Sequence, residues 1–125
     1  MNLVLDAGAL IGIDRDDRRI AGLLELGRRV AADLVTTAPV VGQAWRDGAR
    51  QARLACALAM VDVRPVTSDD ARRAGELLGR TGTTDVVDAL LALLARPGDQ
   101  LLTSDPDDLA QLVEARRVDV RIVTV

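Results

Sequence analysis

The chain contains no histidine, no lysine, no phenylalanine and no tyrosine, and it carries a single cysteine and a single tryptophan. Without histidine, imidazole acid–base catalysis and His-ligated zinc are both closed. One cysteine, Cys56, excludes a disulfide framework and a cysteine zinc cluster. With Trp45 as the only aromatic, no platform exists for stacking successive bases. No apolar run reaches the roughly 18 residues of a membrane span, and no basic leader precedes the first strand. A cytoplasmic protein with no membrane partner is therefore expected.

What is present fits one domain over residues 1–125, large enough to bury a core. Apolar residues make up 49% of the chain, mostly Leu, Val and Ala, which excludes a disordered polyelectrolyte. All 16 basic residues are Arg, against 19 acids, for a net charge of −3. That balance argues against nucleic-acid binding by bulk electrostatics while leaving room for local Arg patches.

Short apolar runs alternate with amphipathic stretches. Strands are expected at 2–5, 34–36, 61–64, 100–103 and 119–124. Helices are expected over 8–29 with a polar break at 14–17, over 39–48 and 49–60, after Thr67, over 85–95, and from Pro106. Gly79 to Thr83 reads as a loop. This alternation predicts a three-layer α/β/α sandwich with a central, mainly parallel five-stranded sheet in the order 3-2-1-4-5.

Two runs end alike: Asn2-Leu3-Val4-Leu5 leads into Asp6, and Leu101-Leu102-Thr103-Ser104 leads into Asp105. With the first strand central, strand order reverses between it and the fourth, and ligands bind in the crevice at such a reversal. Asp6 and Asp105 would face each other there. Asp85 and Asp88, spaced i and i+3, share the first turn of a helix starting at the same edge. Gln43 sits on another helix that starts there. Two carboxylates about 5 Å apart repel by roughly 3 kcal/mol at an effective dielectric near 20. Either protons or a cation must relieve that repulsion, and hard oxygen ligands suit Mg²⁺ or Mn²⁺. Helix capping competes for the same residues. Asp85 with Asp88 reads equally as an N-cap with an acid at N3, and Asp105-Pro106-Asp107-Asp108 as a cap, a Pro at N1 and dipole-favoured acids. The remaining aspartates, Asp99 among them, read as caps or solvated surface.

Four segments together resemble the PIN-domain nucleases, and among them the VapC-type toxins: Leu5-Asp6-Ala7-Gly8-Ala9-Leu10-Ile11, Thr37 through Arg46, Thr84-Asp85-Val86-Val87-Asp88-Ala89-Leu90-Leu91, and Leu102 through Leu109. The resemblance implies a Mg²⁺/Mn²⁺-dependent endoribonuclease of a type II toxin–antitoxin pair, dimeric and restrained by a cognate antitoxin. By position it implies Asp6, Asp88 and Asp105 as catalytic and metal-binding acids, with Asp85 a further ligand candidate and Thr103 the supporting hydroxyl. It departs at Gln43, where the family usually has Glu. An amide oxygen can orient a water or ligate weakly, but one negative charge is gone. That keeps a non-cleaving RNA- or protein-binding module as the rival.

Arg46 and Arg50 follow Gln43 at helical spacing and are candidates for RNA phosphates, with a solvated or ion-paired face as the alternative. Trp45 reads as a core or interface anchor and Cys56 as buried packing. Helix 49–60, with Leu54, Leu58 and Met60, is a candidate surface for a homodimer or an antitoxin, with core packing as the equal alternative. Other sheet enzymes with acids at strand tips fit less well. A receiver domain needs a Lys beside its acids, a haloacid-dehalogenase-type phosphatase needs Asp two residues after Asp6 where Gly8 stands, and no Gly-rich loop ends in Lys.

Overall fold

Residues Leu3, Val4, Leu5, Leu101 and Leu102 are all buried, as continuous apolar runs must be when helices cover both faces of a parallel sheet. They belong to β1 (Asn2–Leu5) and β4 (Gln100–Thr103), which pair in parallel at the centre. The computed structural model describes all 125 residues. With β2 (Asp33–Thr37), β3 (Asp62–Arg64) and β5 (Arg121–Thr124), these strands form one sheet in the order β3-β2-β1-β4-β5, every pairing parallel. The order is the expected one. The edge strands are half-exposed and charged, and an Arg64–Asp62 pair at 2.6 Å marks one of them. Charged edges discourage strand addition.

Seven helices cover the sheet: α1 (Ala7–Asp14), α2 (Arg18–Arg29), α3 (Ala38–Ala44), α4 (Ala52–Leu58), α5 (Ser68–Thr81), α6 (Val86–Leu94) and α7 (Pro106–Arg116). Helix α1 packs against α2, α3 and α4, whereas α5, α6 and α7 pack on one another. No helix is long and apolar enough to cross a membrane.

Three boundaries differ from expectation, each for a local reason. The helix expected over 39–48 stops at Ala44, because the Gln51 side chain takes over the chain's hydrogen bonds there. Its Oε1 accepts from the N–H groups of Arg46 and Asp47 at 2.8 and 3.0 Å, and its Nε2 donates to Ala44 O at 3.0 Å. The stretch expected as helix 49–60 becomes a 3₁₀ turn, Gly48–Arg50, followed by α4. The expected loop at 79–83 begins later: α5 continues to Thr81, whose hydroxyl donates to Leu77 O, and stops at Gly82 with φ +69°. Glycine's left-handed freedom is required there, as it is at Gly98 (φ +90°) in the turn into β4.

Two side chains also sit differently. Cys56 is exposed rather than buried, because Leu54 and the half-buried Leu58 occupy the inner face of α4 and Cys56 falls between them. Asp99 is 3% exposed rather than solvated. Its Oδ1 accepts from Asn2 N–H at 2.7 Å and its Oδ2 from Arg96 N–H at 2.8 Å, fastening the start of β1 to the turn that enters β4. Asp99→Ala strands both donors, so it should lower unfolding free energy by about 2 kcal/mol in a denaturant titration. An unchanged midpoint would show that the two N–H groups find other partners.

Candidate metal centre

Asp6 leaves β1 at the point where strand order reverses, and its carboxylate is almost wholly buried at 8% exposure. Oδ1 accepts from Ala9 N–H at 2.9 Å, which makes Asp6 the N-cap of α1. Oδ2 accepts from Ser104 N–H at 3.2 Å, across the crevice at the tip of β4. The approach needs Gly8, because a Cβ there would overlap the Ser104 side chain. The opening of α1 and the exit of β4 are thus held together through one acid.

The residue two beyond Thr103 is positioned differently. Thr103 is fully buried, and its Oγ1 accepts from Asp105 N–H at 2.8 Å. Asp105 begins α7 as its N-cap residue, yet its side chain makes no capping hydrogen bond. The carboxylate is left unengaged by the helix and exposed at the crevice. Asp85 behaves in the opposite way. Its Oδ1 accepts from Asp88 N–H at 3.0 Å, so it caps α6 and fixes the backbone from which Asp88 projects.

Asp88, Asp105 and Asp108 each offer a carboxylate oxygen, and the three oxygens lie within 4.8 Å of one another. Asp108 is the acid that the sequence reading left among the dipole-favoured residues of α7. Its spacing of i+3 from Asp105, in the first turn, was the available signal. Burial pushes the Asp88 carboxyl up to about 6, and the charges of Asp85, Asp105, Asp108 and Asp6 add to the shift. Asp105 is raised as well, by loss of surrounding water and by Asp108, which is close enough to share its proton, with smaller contributions from Asp107 and Asp6. A half-exposed cluster of carboxylates with open outer positions suits a hard, oxygen-seeking cation such as Mg²⁺ or Mn²⁺.

Gln43 lies exposed on α3, which packs against both α1 and α6, and its side chain makes no hydrogen bond. Arg46 Nη1 donates to Gly42 O at 3.0 Å and Trp45 O at 2.7 Å, satisfying carbonyls at the end of α3. Arg50 is highly exposed and stands 3.6 Å from Asp47. Trp45 is partly exposed and lies over Gly48, where a Cβ would meet its ring.

No protein-family profile matches the chain, and neither does any curated protein sequence. A chain from the crystal structure of VapBC2 from Rickettsia felis, bound to a DNA fragment from their promoter, shares its architecture. The match covers 100% of this chain and 99% of that one, with a TM-score of 0.65 at 14% identity. The fold is PIN-like. The carboxyl edge that holds Asp6, Asp88, Asp105 and Asp108 is therefore the strand-order reversal of a PIN-like sheet.

The raised Asp88 carboxyl has a consequence for stability. The folded protein holds this proton up to about pH 6, whereas the unfolded chain releases it near 3.9. Between those values the native state binds more protons, so Asp88 removes stability as pH rises. In chelator, Asp88→Asn should raise the melting temperature by roughly 3 °C near neutral pH, with screening at this half-exposed site taken into account. The gain should vanish below about pH 4. A gain of equal size at both pH values would trace to something other than this charge.

Proposed function

We propose that this protein is a VapC-type PIN-domain endoribonuclease, the toxin of a type II toxin–antitoxin pair, hydrolysing RNA phosphodiesters with Mg²⁺ or Mn²⁺. The observation that carries the proposal is the convergence of Asp88, Asp105 and Asp108, within 4.8 Å, on the same edge as the buried Asp6. Asp88, Asp105 and Asp108 would hold the ion, with Asp6 behind them. A divalent cation bound there lowers the pKa of a coordinated water and stabilises charge on phosphoryl oxygens.

The chain's own residues supply the positioning. Asp6, fixed by Ala9 and Ser104 N–H groups, places its carboxyl group at the base of the crevice. Thr103 orients Asp105 through its backbone, and Asp85 does the same for Asp88. Because the Asp88 carboxyl lies near 6 without the ion, loading the cation would displace its proton at mildly acidic pH. Gln43 offers an amide to orient a water or the RNA phosphate. Arg50, exposed beside α3, is the more available of the two arginine candidates for a backbone phosphate, since Arg46 is committed to carbonyls.

The structural neighbour is a VapBC2 pair, and by analogy we infer a cognate antitoxin for this chain. The apolar groove between α2 and α4, lined by Ile13, Ala21, Leu24, Ala57 and Met60, is the surface for such a segment. Leu54, fully buried, belongs to the core instead. A homodimer in the cytoplasm completes the reading.

One observation favours a second reading. Gln43 stands where the resembling family usually has Glu, which weakens the negative field and leaves a non-cleaving RNA- or protein-binding module in contention. Incubation of the purified chain with structured RNAs separates the two. Cleavage that needs Mn²⁺ and falls about 100-fold or more in Asp6→Asn and in Asp108→Asn is expected. RNA binding with no metal-dependent cleavage would establish the module instead. Gln43→Glu should tighten Mn²⁺ binding by calorimetry and speed cleavage. If it changes neither while Asp6→Asn abolishes activity, position 43 has no part in the site.

A further inference from the structure

On the β2–β3 side of the sheet, a slot of about 510 Å³ lies between the start of α5, the later turns of α6, the end of α7 and the ends of β2 and β3, which share the carboxyl edge with Asp6. It shares no residue with the carboxylate cluster. Arg73, Arg96 and Arg116 line it, and none of them has a carboxylate within 4.0 Å, the chain's four ion pairs being made by other arginines. Asp70 is the one lining acid, and its Oδ2 already accepts from Thr67 N–H at 3.0 Å. Arg116 is half-buried. Its Nη1 donates to Ala92 O and Ala95 O at 2.6 and 2.7 Å, which leaves the rest of the guanidinium without a protein partner. Burial and the facing Arg73 charge both lower the Arg116 pKa.

Thr37 also lines this slot, at 4% exposure, and its Oγ1 is the chain's one buried side-chain polar atom without a hydrogen-bond partner. A stranded buried hydroxyl costs about 1–3 kcal/mol. Unpaired guanidinium groups gathered at one cavity repel one another as well. Both debts are cancelled by the same object, a compact anion with several acceptor oxygens. The planar forks of Arg match phosphate oxygens two at a time.

We infer that this slot is a phosphate-binding site, in which Arg73, Arg96 and Arg116 supply the charge and the Thr37 hydroxyl donates the buried hydrogen bond. The phosphate belongs either to a free phosphate compound or to the backbone of an RNA strand, and the two are separable by experiment. The full chain is titrated in chelator, so that the acidic edge neither loads metal nor cleaves. One titration uses inorganic phosphate, followed by ³¹P line broadening, and the other a short single-stranded RNA without terminal phosphates.

Arg73→Gln should weaken the bound phosphate about tenfold, whereas Arg28→Gln, at a remote Glu25 pair, should not. Arg116→Gln also removes the cap on α6, so Arg73→Gln is the informative arginine change. Thr37→Val should weaken phosphate binding while holding or raising the melting temperature of the free protein, because it deletes the stranded hydroxyl. A purely structural Thr37 would not give that combination. If RNA affinity falls with Arg73→Gln and its log–log salt slope drops by about 0.7, the source is the RNA backbone. If phosphate responds and RNA does not, the source is a free phosphate compound. If neither ligand responds to Arg73→Gln and Thr37→Val, the inference is overturned.

Discussion

The Asp6 carboxylate locks together the carboxyl tips of β1 and β4, two strands that the sheet already pairs. One oxygen starts α1 by capping Ala9, and the other holds Ser104 as β4 leaves the sheet, 98 residues further on. Gly8 leaves room for this approach, since a Cβ there would overlap the Ser104 side chain. With the tips of β1 and β4 fixed in this way, α7 must begin beside α1. Asp105 and Asp108 then arrive at the crevice as a matter of helix geometry. Capping and a place at the crevice are not exclusive for Asp6, because the hydrogen bond that caps α1 also fixes its carboxyl group there.

Carboxylates crowd at this edge because three different devices release their side chains from structural duty. Thr103 accepts from Asp105's own N–H and fixes its backbone, while the Asp105 carboxylate bonds none of the N–H groups in the first turn of α7. Asp85 is spent as the cap of α6, which frees Asp88 one turn on. Asp108 lies in the first turn of α7, where the helix dipole favours negative charge without demanding a hydrogen bond. The resulting mutual repulsion, visible in the raised carboxyls of Asp88 and Asp105, is tolerated because Asp105 and Asp108 remain in contact with water. A dry cluster of this kind would simply protonate.

Sheet order and strand positions were legible because the central strands are continuous apolar runs and each is followed by helical periodicity. Strand positions shifted by at most two residues. What escaped was carried by side chains acting at a distance in sequence. Gln51 ends α3 by replacing hydrogen bonds with its amide, and no propensity or period registers that. Asp99 looked like a surface acid because nothing local shows that Asn2 N–H, 97 residues away, will be its partner. Cys56 looked like core on composition, whereas helical phase puts Leu54 inside and Cys56 outside. Asp108 was hidden by its own neighbours, since an acid-rich first turn is ordinary for any helix beginning with Pro.

Gln43, neutral where the resembling family usually has Glu, and Asp108 bear on the same quantity, the negative field that the proposed site would offer a cation. An exposed glutamine with no hydrogen bond contributes a dipole, whose field falls off faster with distance than that of a charge. Asp108 brings a further carboxylate oxygen within 4.8 Å of those of Asp88 and Asp105. The two are not equivalent in position, because Asp108 approaches from the β4 side of the crevice and α3 lies beside α1 and α6. In the proposed reaction Asp108 would therefore help to hold the ion, whereas position 43 would bear on both the ion and the nucleophile.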